Sequence, residues 1–180
     1  MKSLIALAAL TIAFHALTPA ASREPAPGFS LLDAEGKNIR LADLKGKVVL
    51  LDFWATWCGG CKREIPWFIQ FDEKYRQQGL AAVGVSMDDD GWKAVRPFLA
   101  KGMDAETGGN IAMRYPVVIG NQALASQYHL GAMPMTVLID RNGNIALSHS
   151  GVVDKAEFEA AIVALLKQQP TSASPGRRLH

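Results

Sequence analysis

The sequence predicts an α/β fold, and three stretches predict it. Val48 to Ala55 is a short apolar run rich in valine, leucine and phenylalanine. It leads into Cys58-Gly59-Gly60-Cys61 and then a helical pattern. Leu80 to Met87, LAAVGVSM, is a second apolar run, again followed by a helical stretch. Met135 to Asp140 is a third, closed by the turn Arg141-Asn142-Gly143-Asn144 and by an amphipathic C-terminal segment. Strands alternating with helices in this way build a sheet flanked by helices.

At 180 residues the chain fits one domain of ordinary size, large enough for a real core. Hydrophobic residues are 49% and charged residues 20%, a globular composition. A formal net charge of +2 is too small to point to nucleic acid, and Arg177-Arg178 is an isolated pair in a polar tail.

The first 22 residues read as a secretory signal peptide. Lys2 precedes the apolar run Leu4 to Leu17, and small residues follow from Thr18 to Ser22. The run is shorter than the roughly 20 residues of a membrane span, although an uncleaved anchor is the competing reading. Export places the chain in an oxidising compartment, periplasmic or its equivalent. Residues 23–28, with two prolines, read as a linker, residues 29–169 as the folded domain, and residues 170–180 as a disordered tail.

Within the domain, Phe29 to Leu32 and Ile39 to Leu44 flank a turn at Asp33 to Lys37. The helix after Cys61 places Ile65, Phe68, Ile69 and Tyr75 on one face, and Gln78-Gly79 stops it. Asp88-Asp89-Asp90 stands where acidic residues complement a helix N-terminus, and the second helix runs from Trp92 to Lys101. Gly102 to Arg114 reads as an irregular insertion. Tyr115 to Ile119 is a short strand and Asn121 to Tyr128 a short helix. Ile145 to His149 pairs back on Met135 to Asp140. Asp154 and Glu157 resemble a capping box for a last helix that buries Phe158, Ala161, Ile162, Leu165 and Leu166.

The only two cysteines, Cys58 and Cys61, are spaced C-x-x-C between a strand and a helix, the context that makes this spacing a redox signal. At the helix start, the Cys58 thiolate meets unpaired N–H groups and the positive end of the dipole, and both lower a thiol pKa from about 8.5. Cys61, one turn in, is shielded yet close enough to attack a disulfide on Cys58. So short a loop restrains little chain entropy, which makes a purely structural staple a poor reading.

The segment DFWATWCGGC resembles the active-site strand and turn of thioredoxin, and the element order matches as well. PAPGFSLLDAEGKNIRLADLKGKVVLLDFWATWC, YPVVIG and MPMTVLIDRNGNI together resemble the periplasmic thiol–disulfide reductases of the TlpA/ResA and DsbE type, over about Pro27 to Lys167. The resemblance implies a thioredoxin fold: a central mixed β-sheet flanked by helices, with an N-terminal β-hairpin and a central insertion. It implies a protein-disulfide reductase of the cytochrome c maturation type. Its partners would be disulfide-bearing exported proteins and a membrane thiol electron donor, and it needs no cofactor. Three sites depart from the pattern, and the segment Gly102 to Arg114 is longer than is usual in it. Asp52 stands, as in thioredoxin, where this group often has asparagine. Gly59-Gly60 replaces a dipeptide that commonly contains proline. Met135 intervenes between Pro134 and Thr136.

On this reading Cys58 is the nucleophile and Cys61 the resolving thiol. Met133-Pro134 resembles the family's cis-proline and, with Trp57 at the rim, would hold an extended substrate; Trp54 would be core. Asp52 alternates along its strand with Leu50 and Trp54 and so falls on a buried face, where its carboxyl is expected to titrate high and to act as a base toward Cys61. Glu64, one turn past Cys61, matches a carboxylate that tunes the pair; a solvated helix face is the plainer reading. His129 and His149 read as ordinary histidines.

Other chemistries fit less well. Zinc needs about four ligands and C-x-x-C supplies two. Haem attachment needs histidine after Cys61, where Lys62 stands. A calcium loop at Asp88 to Asp90 lacks the remaining ligand spacing. Two alternatives stay open: a copper-binding thiol chaperone using His129 or His149, and a peroxiredoxin-like peroxidase, which places threonine a full turn before its cysteine, whereas Thr56 is two residues ahead of Cys58.

Overall fold

The computed structural model describes residues 23–104 and 110–170. The expected signal peptide, the Gly108-Gly109 part of the insertion and the tail beyond Pro170 lie outside them.

Strands β1 (Ser30–Leu32) and β2 (Asn38–Arg40) form the expected N-terminal hairpin, with Ile39 facing the core. A turn of 3-10 helix, Leu41–Leu44, leads into β3 (Val48–Trp54), every residue of which is buried. Helix α1 (Gly59–Tyr75) follows, then β4 (Leu80–Ser86) and α2 (Trp92–Lys101). Gly79 ends the turn after α1 at φ 102°, a conformation that an L side chain resists.

The stretch expected to be irregular contains a pairing of β5 (Met103–Asp104) with β6 (Asn110–Ile111). Next come β7 (Val117–Ile119), α3 (Gln122–Gln127), β8 (Met135–Ile139), β9 (Ile145–Ser150) and α4 (Lys155–Leu166). Asn121 caps α3 and Asp154 caps α4, each accepting from the backbone N–H three residues on.

The main sheet has the order β7-β4-β3-β8-β9. β3 and β4 run parallel, as do β4 and β7, while β8 is antiparallel to both β3 and β9. The fold is therefore thioredoxin-like, with a mixed sheet whose two faces carry separate cores. One core gathers Leu50, Trp54, Phe68, Ile162 and their neighbours under α1 and α4. The other gathers Val49, Leu51, Phe53, Val118 and Tyr128. Alternation along β3 feeds the two in turn. Arg23 to Ala26, read as a linker, lies along the β8–β9 hairpin: Arg23 pairs with Asp140 at 3.2 Å and Ala26 N–H donates to Gly143 at 2.9 Å.

Candidate active site

The redox turn is built at the end of β3. Ala55 accepts the Cys58 backbone N–H at 3.1 Å, which closes the turn, and Cys58 takes an extended conformation as the N-cap of α1. Its Sγ accepts the Cys61 N–H at 3.1 Å. Cys58 and Cys61 form a disulfide with an S–S distance of 2.03 Å. Both sulfurs are well covered: Cys58 keeps 5% of its surface and Cys61 none. The order of accessibility is the expected one, but Cys58 is a narrow opening, not an exposed group. Trp57 beside it is 66% exposed and makes the rim, while Trp54 is buried in the core.

Pro134 stands against this turn. The Met133–Pro134 peptide is cis. A Cβ placed on Gly60 would lie 3.0 Å from Pro134 Cδ and 3.1 Å from Val152 Cγ2, whereas one on Gly59 would meet nothing within 4 Å. Gly60 thus permits the proline ring to touch the first turn of α1. Met133 is half-buried and packs on the core beneath.

Asp52 is wholly buried, and neither carboxylate oxygen has a hydrogen-bond partner among the described residues. Burial drives its pKa well above the ordinary carboxylate range, and the neighbouring charge of Glu64 adds to the rise. Glu64 is equally buried, so the solvated-face reading does not hold. Its Oε2 accepts the Val153 N–H at 3.1 Å and its Oε1 the Thr136 hydroxyl at 3.4 Å. Burial lifts Glu64 to about 7, and those two hydrogen bonds, with the charge of Arg63, hold it from rising further. Two carboxyls of high pKa from facing elements suit proton transfer at a thiol near neutral pH.

Asp88 has a different role from the expected one. The three aspartates precede α2 without entering its first turn, and Gly91 is its N-cap. The Asp88 carboxylate instead accepts the Thr56 N–H at 3.0 Å, the Thr56 hydroxyl at 2.6 Å and the Ser86 hydroxyl at 2.8 Å. It ties the end of β4 to the loop that carries Trp57 and Cys58. The available signal was local: Ser86 and Asp88, two apart at a strand end, are spaced for a side-chain turn. Val153 and Thr136, the partners of Glu64, had no such signal, because residues 89 and 72 positions away in sequence supply them.

His129 is exposed and His149 half-buried on β9. Among the described residues no group of three or more His, Cys, Asp or Glu side chains is arranged to hold a metal ion.

Residues 23–148 match the AhpC/TSA family. The chain is 34% identical over 147 residues to the thiol-disulfide oxidoreductase ResA of Geobacillus kaustophilus (strain HTA426), covering 81% of this chain and 79% of that protein. It is 33% identical over 137 residues to the thioredoxin-like protein YneN of Bacillus subtilis (strain 168), covering 76% and 75%. The crystal structure of a thiol:disulfide interchange protein of the thioredoxin family from Chlorobium tepidum TLS superposes with a TM-score of 0.68. Identity there is 29%, over 82% of this chain and 99% of that one.

Proposed function

The chain belongs to the AhpC/TSA family and is a thiol–disulfide oxidoreductase, and from that premise we propose that it works as an exported reductant of protein disulfides, of the cytochrome c maturation type. The observation that carries this reading is the placement of Cys58: it caps α1, receives the Cys61 N–H, and stands next to the exposed Trp57 on a turn whose Gly60 lies against Pro134.

In the proposed reaction the Cys58 thiolate attacks a substrate disulfide. A Cys58–substrate bond forms, the substrate S–S bond breaks, and one substrate thiolate leaves. Cys61 then gives its proton to the Asp52 carboxylate and attacks Cys58 sulfur. The second substrate thiolate leaves, two electrons have passed to the substrate, and the Cys58–Cys61 disulfide remains. Glu64 tunes this proton step from the helix side. Trp57, Met133 and Pro134 line the approach of an extended substrate segment. A membrane thiol donor returns the pair to the dithiol.

Export rests on Lys2, the apolar run and the small residues before Arg23. Among the described residues no helix is long and apolar enough to cross a membrane. Mass spectrometry of the exported protein is expected to find a new N-terminus between about Ala20 and Glu24; an intact Met1 retained in membranes would favour an anchor.

The peroxidase alternative is disfavoured by Thr56, which gives its hydroxyl hydrogen to Asp88. The test of the main reading is trapping. Cys58→Ser should abolish disulfide reduction, and Cys61→Ser should accumulate a mixed disulfide through Cys58. Faster alkylation of Cys61 than Cys58 at mild pH would reverse the assignment.

A further inference from the structure

Strand β7 is short, and that leaves a gap at the edge of the main sheet. It pairs with Gly84 to Ser86 only, so Leu80 to Val83, the first half of β4, have β3 on one side and no strand on the other. Pro116 is where the pairing stops. Its carbonyl accepts the Gly84 N–H at 2.9 Å. In a parallel ladder the same residue would donate back to Ala82, and proline has no N–H. The gap is a trough of about 430 Å³, bounded by β2 and the 3-10 turn after it on one side and by the end of α1 on the other. Its floor is apolar and closed: Leu80 keeps none of its surface and Ala82 2%. A ligand therefore lies over this floor and does not enter the sheet.

The rim is cationic. Lys37 stands in the β1–β2 turn, Arg40 at the end of β2, Lys47 before β3, Arg76 after α1 and Arg114 ahead of β7. These five cations face two carboxylates, Asp43 and Asp72, in a chain whose formal net charge is only +2. Both carboxylates are already taken: Asp43 accepts from Arg40 at 2.7 and 2.8 Å, and Asp72 pairs with Arg76. Lys37 and Lys47 have no carboxylate partner among the described residues, and Arg114 reaches Glu73 only at 3.9 Å. All three are exposed.

The spread of these charges selects the ligand. They come from separate elements, so one small anion does not meet them together, whereas a chain with carboxylates along it does. The buried Asp72 carboxylate opposes an anion that goes deep and keeps the negative groups at the rim. The chain's own ends have the wrong charge: residues 1–22 carry no acidic side chain, and residues 170–180 carry Arg177 and Arg178 and none either.

We propose that this trough docks an extended acidic segment of a partner protein, with its carboxylates on Lys37, Lys47 and Arg114 and its apolar side chains over the floor. The trough lies at the opposite end of β4 from the redox turn. Leu80 is opposite Val48, where β3 begins, and Ser86 is opposite Trp54, where it ends. A partner held there leaves Cys58 free to meet a disulfide elsewhere on the same partner. The docking depends neither on which thiol attacks nor on the direction of electron flow.

The test is the binding of a fluorescein-labelled peptide of alternating glutamate and valine to the full domain, followed by anisotropy. Wild type should bind it, should lose affinity as salt rises, and should bind the glutamine counterpart weakly. Lys37→Glu with Lys47→Glu should weaken binding roughly tenfold. Lys93→Glu with Lys101→Glu makes the same change in net charge at residues that do not line the trough, and should weaken binding by no more than about twofold. Both double variants should reduce a small soluble disulfide at the wild-type rate, which shows that they are folded. Equal losses in the two double variants overturn the proposal, since general charge attraction then accounts for the binding; no loss in either overturns it as well. A wild-type dimer in sedimentation that dissociates in Lys37→Glu with Lys47→Glu gives the trough to a second copy. Vesicles of anionic phospholipid that bind and are not displaced by the peptide give it to a lipid surface. Either result overturns the acidic segment as its occupant.

Discussion

Asp52 on β3 and Glu64 on α1 are buried carboxyls on the two elements that flank the redox turn, and they are buried in opposite ways. Glu64 has its acceptor positions served by Val153 and Thr136 and titrates near 7. Asp52 has no protein partner among the described residues and is pushed well above the ordinary carboxylate range, first by burial and then by Glu64 itself. The contrast teaches that burial alone does not assign a role. A carboxyl anchored by two donors holds structure as well as charge, whereas one without them has its oxygens available for a proton.

The largest effect that can break this contrast is catalytic. Asp52→Asn should slow the resolution step at neutral pH by about a hundredfold, at the lower end of what a general base supplies, and leave the first attack by Cys58 largely intact. The measurement is resolution rate against pH for wild type, Asp52→Asn and Glu64→Gln. An unchanged profile in Asp52→Asn beside a shifted one in Glu64→Gln would move the base to Glu64.

Next in size is the structural half of the contrast. Glu64→Ala strips the acceptor from the buried Val153 N–H and opens a hole in the core, at a cost of about 2–4 kcal/mol in denaturant unfolding. Asp52→Asn should leave stability level or raise it, because a costly buried carboxyl is replaced by a neutral isostere.

A third test uses pH. Both carboxyls bind protons more tightly in the folded chain than in the unfolded one. The stability they contribute is therefore complete below pH 4 or so and is lost as pH rises through about 7 for Glu64 and through the raised folded-state pKa of Asp52. Between pH 5 and pH 8 wild type should lose more stability than Asp52→Asn does. Parallel curves for the two proteins would mean that Asp52 is not held neutral by the fold.

The smallest effect concerns the point where the helix side meets β8. Gly60→Ala must displace Pro134 or Val152 and should cost about 1–2 kcal/mol. Gly59→Ala, with open space around it, should be neutral or slightly stabilising. Equal costs at the two positions would show that Pro134 does not bear on the turn.

Much of this site could be read in the sequence, for local reasons. The run from Val48 and the C-x-x-C spacing placed the strand, the turn and the nucleophile, and two-residue alternation put Asp52 on a buried face. The order of elements gave the fold. Glu64 was harder. It lies three residues after Cys61 and four before Phe68, in the middle of the buried stripe of α1, but its charge argued for solvent and its partners lie far along the chain. Asp88 departs from the helix-dipole expectation because that argument is local, while Thr56, the group it binds, is 32 residues earlier.

Arg141 sits about 20 Å from the redox turn, at the other end of β3. Its guanidinium donates to the carbonyls of Gly46 at 2.7 Å, Gln78 at 3.0 Å and Leu166 at 3.0 Å. One side chain thus joins the entrances of β3 and β4 to the last turn of α4. In native-state hydrogen exchange these three places should open as a single cooperative unit. Arg141→Ala should split them, so that the end of α4 frays alone while the protection of β3 persists. The molecule is then a clamp closed at one end, which leaves the other free to exchange partners without loosening the sheet that carries it.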